Sequence, residues 1–192
     1  QPALILKTSG AGFSILDREE CLKKIRQIKD KFPQDWNLPN IYLLHGSLSA
    51  EEMNKLYNHP KVKSFVSLTH GEGYGRPLQE ATMVGLPIIA SGWSGQMDFL
   101  SETDSFLLGG EMIPVPKSQV WKDIIVSESQ WFNVNETQAY KAMNHSFKNY
   151  DEVKEKALNL MKVNRDKFTL NKMTEKFDEI LSPQIDKVPT QV

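Results

Sequence analysis

Short apolar runs alternate with helix-patterned segments along this chain, and that rhythm limits the folds open to it. The runs are residues 3–6, 41–44, 64–68 and 86–90, and polar amphipathic stretches separate them. Runs so short and so continuously apolar read as strands buried on both faces. Strands joined by helices lie parallel, because a tight turn cannot return the chain to the same end of a sheet. The expected class is therefore α/β, a parallel sheet covered by helices. Such crossovers are right-handed and ligands gather at the carboxyl ends of the strands. The loops after Leu6, Leu44, Leu68 and Ala90 are expected to share one edge.

Local signals fill in the helices. Residues 16–32 place Leu22, Ile25 and Ile28 at three-residue steps among charges, with Asp17 and Glu20 in capping-box spacing and Pro33 as a stop. Ser49 and Glu52 cap a short helix that reaches Tyr57. Residues 76–84 carry Pro77 in the first helical turn, where its missing N–H is harmless. Beyond Leu100 the pattern weakens to short edge segments at 106–108 and 112–115 around Gly109 and Gly110. Three helices follow at 135–148, 151–165 and 169–181, then a polar tail from 182 to 192.

Composition narrows the function classes. The 192 residues, 40% apolar and 24% charged, suit one globular domain or at most two small ones. A formal charge of −1 offers no field for non-specific binding of nucleic acid or anionic lipid, so a ligand needs a local site. No apolar run approaches the ~20 residues that cross a bilayer, and no transmembrane segment is expected. The single Cys21 has no partner for a disulfide or a CxxC motif, which suits a cytoplasmic protein. The start at Gln1-Pro2-Ala3, running directly into an apolar strand, is expected to be a cut inside a larger protein.

The chemistry concentrates in residues 69–81, Thr-His-Gly-Glu-Gly-Tyr-Gly-Arg-Pro-Leu-Gln-Glu-Ala. Glycines at 71, 73 and 75 let backbone N–H groups approach phosphate oxygens. The helix beginning near Arg76 adds its N-terminal dipole at the same place. Glu72 and Glu80 flank that anion site, and a carboxylate there accepts hydrogen bonds from sugar or ribose hydroxyls. Arg76 stands where the dinucleotide fingerprint needs glycine or alanine, and no Gly-Lys-Ser/Thr follows, so neither that motif nor a P-loop fits.

Glu72 and Glu80 with seven residues between them, set in Glu-Gly-Tyr-Gly-Arg-Pro-Leu-Gln-Glu-Ala and followed by Gly85-Leu86-Pro87-Ile88-Ile89-Ala90, resemble the signature of family 4 retaining glycosyltransferases, which use nucleotide sugars. The resemblance covers residues 3–181 and implies the carboxyl-terminal, donor-binding, Rossmann-like domain of the two-domain GT-B fold, with closing helices that return toward the other domain. It implies that Glu72, the expected catalytic residue, contacts hydroxyls of the donor sugar and that Glu80 contacts the ribose. Amides of Gly73, Tyr74 and Gly75 then lie by the sugar and diphosphate, and Gly46, Ser47 and Leu48 by the nucleobase. Ser94 and Gly95 open a turn, Ser94 to Asp98, that matches the family's glycine-rich turn and is assigned to phosphate or sugar.

The same resemblance implies no cofactor and no metal. The implied substrate is a UDP-, GDP- or ADP-sugar, and the implied partners are an N-terminal acceptor domain absent from this chain and a glycan, lipid or small-molecule acceptor. The family's diphosphate-neutralising Arg and Lys follow the first strand of the donor domain, and this chain is expected to begin at the second. Lys7, at a strand's carboxyl end, is a candidate for that role, with a solvated lysine as the other reading. His70 is read either as a phosphate contact or as a backbone-bonded structural residue. Trp93, Trp121 and Trp131 read as packing. The alternative to transfer is a sugar-nucleotide binding module without activity.

Overall fold

A computed structural model describes residues 2–8, 16–185 and 187. The glycine-rich stretch expected as a flexible loop at 7–12 lies, from Ser9 onward, outside the described residues, as does most of the expected polar tail. The chain divides into two compact units, Gln1–Leu56 and Tyr57–Val192. Each unit has its own parallel sheet flanked by helices, so the fold is α/β and compatible with a Rossmann-like arrangement.

In the first unit β1 (Leu4–Thr8) and β2 (Ile41–His45) form a two-stranded parallel ladder, with Leu4 opposite Ile41 and Thr8 opposite His45. Their carboxyl ends share an edge. Between them runs α1 (Asp17–Lys29), which buries no residue fully. The expected capping box at Asp17 and Glu20 does not form. Leu16, whose side chain has no acceptor, holds the cap position, so Asp17, Glu19 and Glu20 fall in the first turn and act on the helix dipole instead. Ser49 and Glu52 do form their box ahead of α2 (Ala50–Tyr57). The Ser49 N–H donates to Glu52 Oε2 at 2.7 Å and the Glu52 N–H to Ser49 Oγ at 3.2 Å. The Ser49 backbone N–H first, then the Ser49 side chain, hold the Glu52 carboxyl below its ordinary pKa. The expectation of a first strand buried on both faces is not met, since Leu4 and Ile5 each remain 42% exposed.

The second unit carries β3 (Phe65–Ser67), β4 (Ile88–Ser91) and β5 (Phe106–Leu108), all parallel and ordered β3-β4-β5. The central strand β4 is buried along its whole length. From β5 the chain passes through Gly109 into β6 (Gly110–Pro114), which pairs antiparallel with β7 (Gln130–Val134). Ile89, Leu108, Phe132 and Val134 pack with Ala139 and Ala142 of α4 (Glu136–Lys148) to form a core. Two polar contacts add to this apolar join of sheet, hairpin and α4. Asn135 caps α4 by accepting from the Gln138 N–H at 2.9 Å, and Gln138 Oε1 accepts from the Gly109 N–H at 2.7 Å.

Two more helices follow, α5 (Tyr150–Lys167) and α6 (Leu170–Ile185). The tail expected from residue 182 is helical as far as Ile185, with Pro183 inside the last turn. There it forgoes one backbone bond at the point where the helix is already ending. No described helix is long and apolar enough to cross a membrane.

Candidate functional site

Two loops meet at the carboxyl edge of the second unit's sheet, one after β3 and one after β4. The β3 loop leads into α3 (Arg76–Met83) through Gly75, which takes a left-handed conformation, φ 87° and ψ 46°. A side chain at that position would be strained by the backbone and pressed against Gln96 Cβ and Leu78 Cδ1, each 3.4 Å from the added carbon. The Gln79 N–H makes the first backbone bond of the helix, to Gly75 O at 3.1 Å, which leaves the amides before it without helical acceptors. Glu80 lies one turn further on, half-buried, and accepts from Arg76 Nε at 3.0 Å.

The β4 loop is tied to the first by backbone. The Gly95 N–H donates to Glu72 O at 3.0 Å, Ser94 Oγ donates to the same oxygen at 2.7 Å, and the Glu72 N–H donates back to Ser94 Oγ at 3.3 Å. The approach is so close that a Cβ on Gly95 would lie 2.1 Å from Gly73 O. The 3₁₀ turn Gly95–Asp98 is anchored by Gln96, whose fully buried Nε2 donates to Ser91 O and Ser91 Oγ, both at 2.9 Å. A Cβ on Gly73 would meet nothing within 4 Å. The backbone there is open to a ligand while the backbone beside it is locked.

The other named residues of this unit are held by packing. Tyr74 sets its ring on Phe99, centroids 5.2 Å apart, and its hydroxyl accepts from Gln79 Nε2. Burial, then the charge of Asp98, push the Tyr74 phenol up, against the lowering effect of the Gln79 bond. His70 takes its structural reading. Its Nδ1 donates to Phe132 O at 2.7 Å, because a carbonyl can only accept, and its ring stacks on Trp131 at 3.9 Å. Trp93 stacks on Phe132 at 5.9 Å. The loops are thereby seated on β7, a strand that the sequence reading did not identify.

A brace from α5 also escaped the sequence reading. Asn164, 1% exposed, donates from Nδ2 to Thr82 Oγ1 of α3 at 2.8 Å and to Phe99 O at 3.1 Å. It links the helix that carries Glu80 to the turn that follows Gly95. Arg165 Nε and Lys154 Nζ reach Met83 O and Gly85 O, placing cations at the C-terminal end of α3 where the dipole favours them. The buried residues of α5 are Val153, Ala157, Leu160 and Asn164, so the available signal was a polar residue on an apolar stripe.

In the first unit Lys7 Nζ donates to Gly46 O, and the Gly46 N–H to Thr8 O at 3.1 Å. Gly46 has a positive φ of 99°, Ser47 after it is exposed and Leu48 half-buried. Lys7 and the 46–48 loop are thus brought together in one unit, and Glu72, Gly73, Tyr74, Gly75, Glu80, Ser94 and Gly95 in the other. Among the described residues no three His, Cys, Asp or Glu side chains group so as to hold a metal ion. No protein-family model matches the chain, and no curated protein is significantly similar to it.

What the second unit's edge can do follows from its parts. Helix-start amides and the open Gly73 backbone favour an anionic group. The two carboxylates accept from hydroxyls.

Proposed function

We propose that this chain is the donor-binding part of a retaining glycosyltransferase of the family 4 type, taking a UDP-, GDP- or ADP-sugar. The observation that carries the reading is the backbone lock between Glu72–Gly73 and Ser94–Gly95, beside the glycine-started helix that bears Glu80. In this reading Glu72 accepts from donor-sugar hydroxyls and Glu80 from the ribose, with the amides from Gly73 to Gly75 facing the diphosphate.

Catalysis here is charge stabilisation. The bond from the anomeric carbon to the diphosphate oxygen breaks, the carbon becomes oxocarbenium-like, and the amides and helix start carry part of the charge on the leaving diphosphate. The acceptor hydroxyl adds on the face the diphosphate leaves, and its proton passes to a diphosphate oxygen. The acceptor, a glycan, lipid or small molecule, binds in the cleft that faces an N-terminal acceptor domain, and the setting is the cytoplasm. Isothermal titration with UDP, GDP and ADP tests the site directly. One of them is expected to bind, and Glu80→Ala is expected to weaken it by about 1.5–3 kcal/mol, the worth of a charge-assisted hydrogen bond. Absence of binding by all three overturns the reading, and an unchanged affinity in the variant removes the ribose role.

A further inference from the structure

Ser94 holds a conformation that serine seldom adopts. Its φ of 76° and ψ of −159° lie in a region open to glycine and costly to any residue with a Cβ. Its surroundings fix it there. Gly95 is pressed on the Gly73 carbonyl, Gln96 is buried and bonded to Ser91, and Trp93 on the other side stacks on Phe132. A glycine at 94 would satisfy the backbone without strain but would bring no hydroxyl. The serine hydroxyl makes a two-way grip on one residue, donating to Glu72 O at 2.7 Å and accepting from Glu72 N at 3.3 Å. A hydroxyl so engaged is spent on the protein rather than on phosphate or sugar.

We infer that Ser94 is a positioning residue, a strained clamp whose hydroxyl fixes the backbone of Glu72 so that its carboxylate and the open Gly73 backbone meet the donor without reorganising. The inference rests on the glycosyltransferase reading above and adds to it the device that preorganises the site. Strain retained at one residue is the cost of that grip.

Two substitutions separate the clamp from a merely structural role. Ser94→Ala keeps the strain and loses the hydroxyl, whereas Ser94→Gly relieves the strain and loses the same hydroxyl. The glycine variant is expected to melt above the alanine variant, yet both are expected to bind the nucleotide that the parent chain binds about three- to tenfold more weakly, the worth of one hydrogen bond. In both, the Glu72 amide is expected to exchange its hydrogen about tenfold faster. Affinity and exchange that return to the parent values in Ser94→Gly overturn the clamp, because the residue then acts through backbone strain alone. Exchange at Glu72 unchanged in both variants also overturns it. If the parent chain binds none of UDP, GDP and ADP, the functional reading falls, and the exchange comparison still decides whether Ser94 holds Glu72.

Discussion

The two parallel sheets are written in similar residues and buried very differently. In β1, Leu4 and Ile5 are each 42% exposed, while in β4 Ile88 and Ile89 are each 1% exposed. The difference goes with the helices of each unit: α1 buries no residue fully, whereas Ala139 and Ala142 of α4 pack with Ile89 of β4, and α5 braces α3. In α1 the apolar residues Leu22, Ile25 and Ile28 step by three, and at about 100° per residue each step drifts about 60° around the helix. The stripe wanders, and Ile28 ends 54% exposed. In α5 the buried positions 153, 157, 160 and 164 alternate steps of four, three and four, which return to one face. A helix of the second kind holds α3 in place, and α3 carries the glycine loop. Apolar strands alone do not bury themselves; the helices packed around them decide.

A pair of glycines tests that contrast most severely. An alanine at Gly95 puts its Cβ 2.1 Å from Gly73 O and 2.6 Å from Gly73 C, both backbone atoms that cannot rotate away. The β4 turn must part from the β3 loop and give up the bonds to Glu72. Gly95→Ala is expected to cost about 3 kcal/mol or more in urea unfolding and to abolish nucleotide binding. At Gly46 an added Cβ meets nothing within 4 Å, and only the positive φ of 99° resists it. Gly46→Ala is expected to cost about 1–2 kcal/mol. Equal losses would erase the distinction between a locked edge and an open one.

The strands themselves give the next test. Ile89 sits in the core with Leu108, Phe132 and Val134, and Ile89→Ala is expected to lose about 2–5 kcal/mol through transfer and cavity terms. Ile5, on the first strand, is 42% exposed and has only a little over half of its surface covered, so Ile5→Ala is expected to lose about 1–1.5 kcal/mol. A loss at Ile5 as large as that at Ile89 would mean that the first sheet is covered in solution.

What could be read from the sequence divides along similar lines. The box at Ser49 and Glu52 formed, but the same spacing at Asp17 and Glu20 did not, because a capping box also needs its first residue to stand outside the helix and here Leu16 does. The segment 106–108 was visible as a short apolar run and became β5. The Gln-Trp-Phe-Asn-Val of β7 was not visible, since its pairing with β6 and its stacking under His70 are tertiary contacts that no local period announces. The glycine loop and the helix start at Arg76 were legible because Gly, Glu and Pro work through local backbone chemistry. The Asn164 brace was not, because Thr82 and Phe99 lie 82 and 65 residues away. Nor does a serine's letter disclose the left-handed φ at Ser94.

The smallest expected effect lies where the units adjoin in sequence, at the end of α2. Tyr57 is 6% exposed and its hydroxyl has no hydrogen-bond partner among the described residues. Burial first, then the nearby negative charge of Glu80, push its pKa up to about 12, with Arg76 opposing. A folded-state value above the unfolded value of about 10 means that the folded protein holds this proton more tightly. The associated stability is present in full below about pH 10 and is lost as the pH rises from there toward 12. Tyr57→Phe removes the unpaired hydroxyl and strands no partner, so at pH 7 it is expected to be neutral or to stabilise by up to about 1 kcal/mol. The variant should also lose less of its stability between pH 9 and pH 11 than the parent does, on the order of a few tenths of a kcal/mol per pH unit at first. Melting temperatures at those pH values give both readouts. A variant less stable than its parent at pH 7 would show that the hydroxyl has a partner after all, and Glu80, whose charge already raises the phenol, is the acceptor to test with Glu80→Gln.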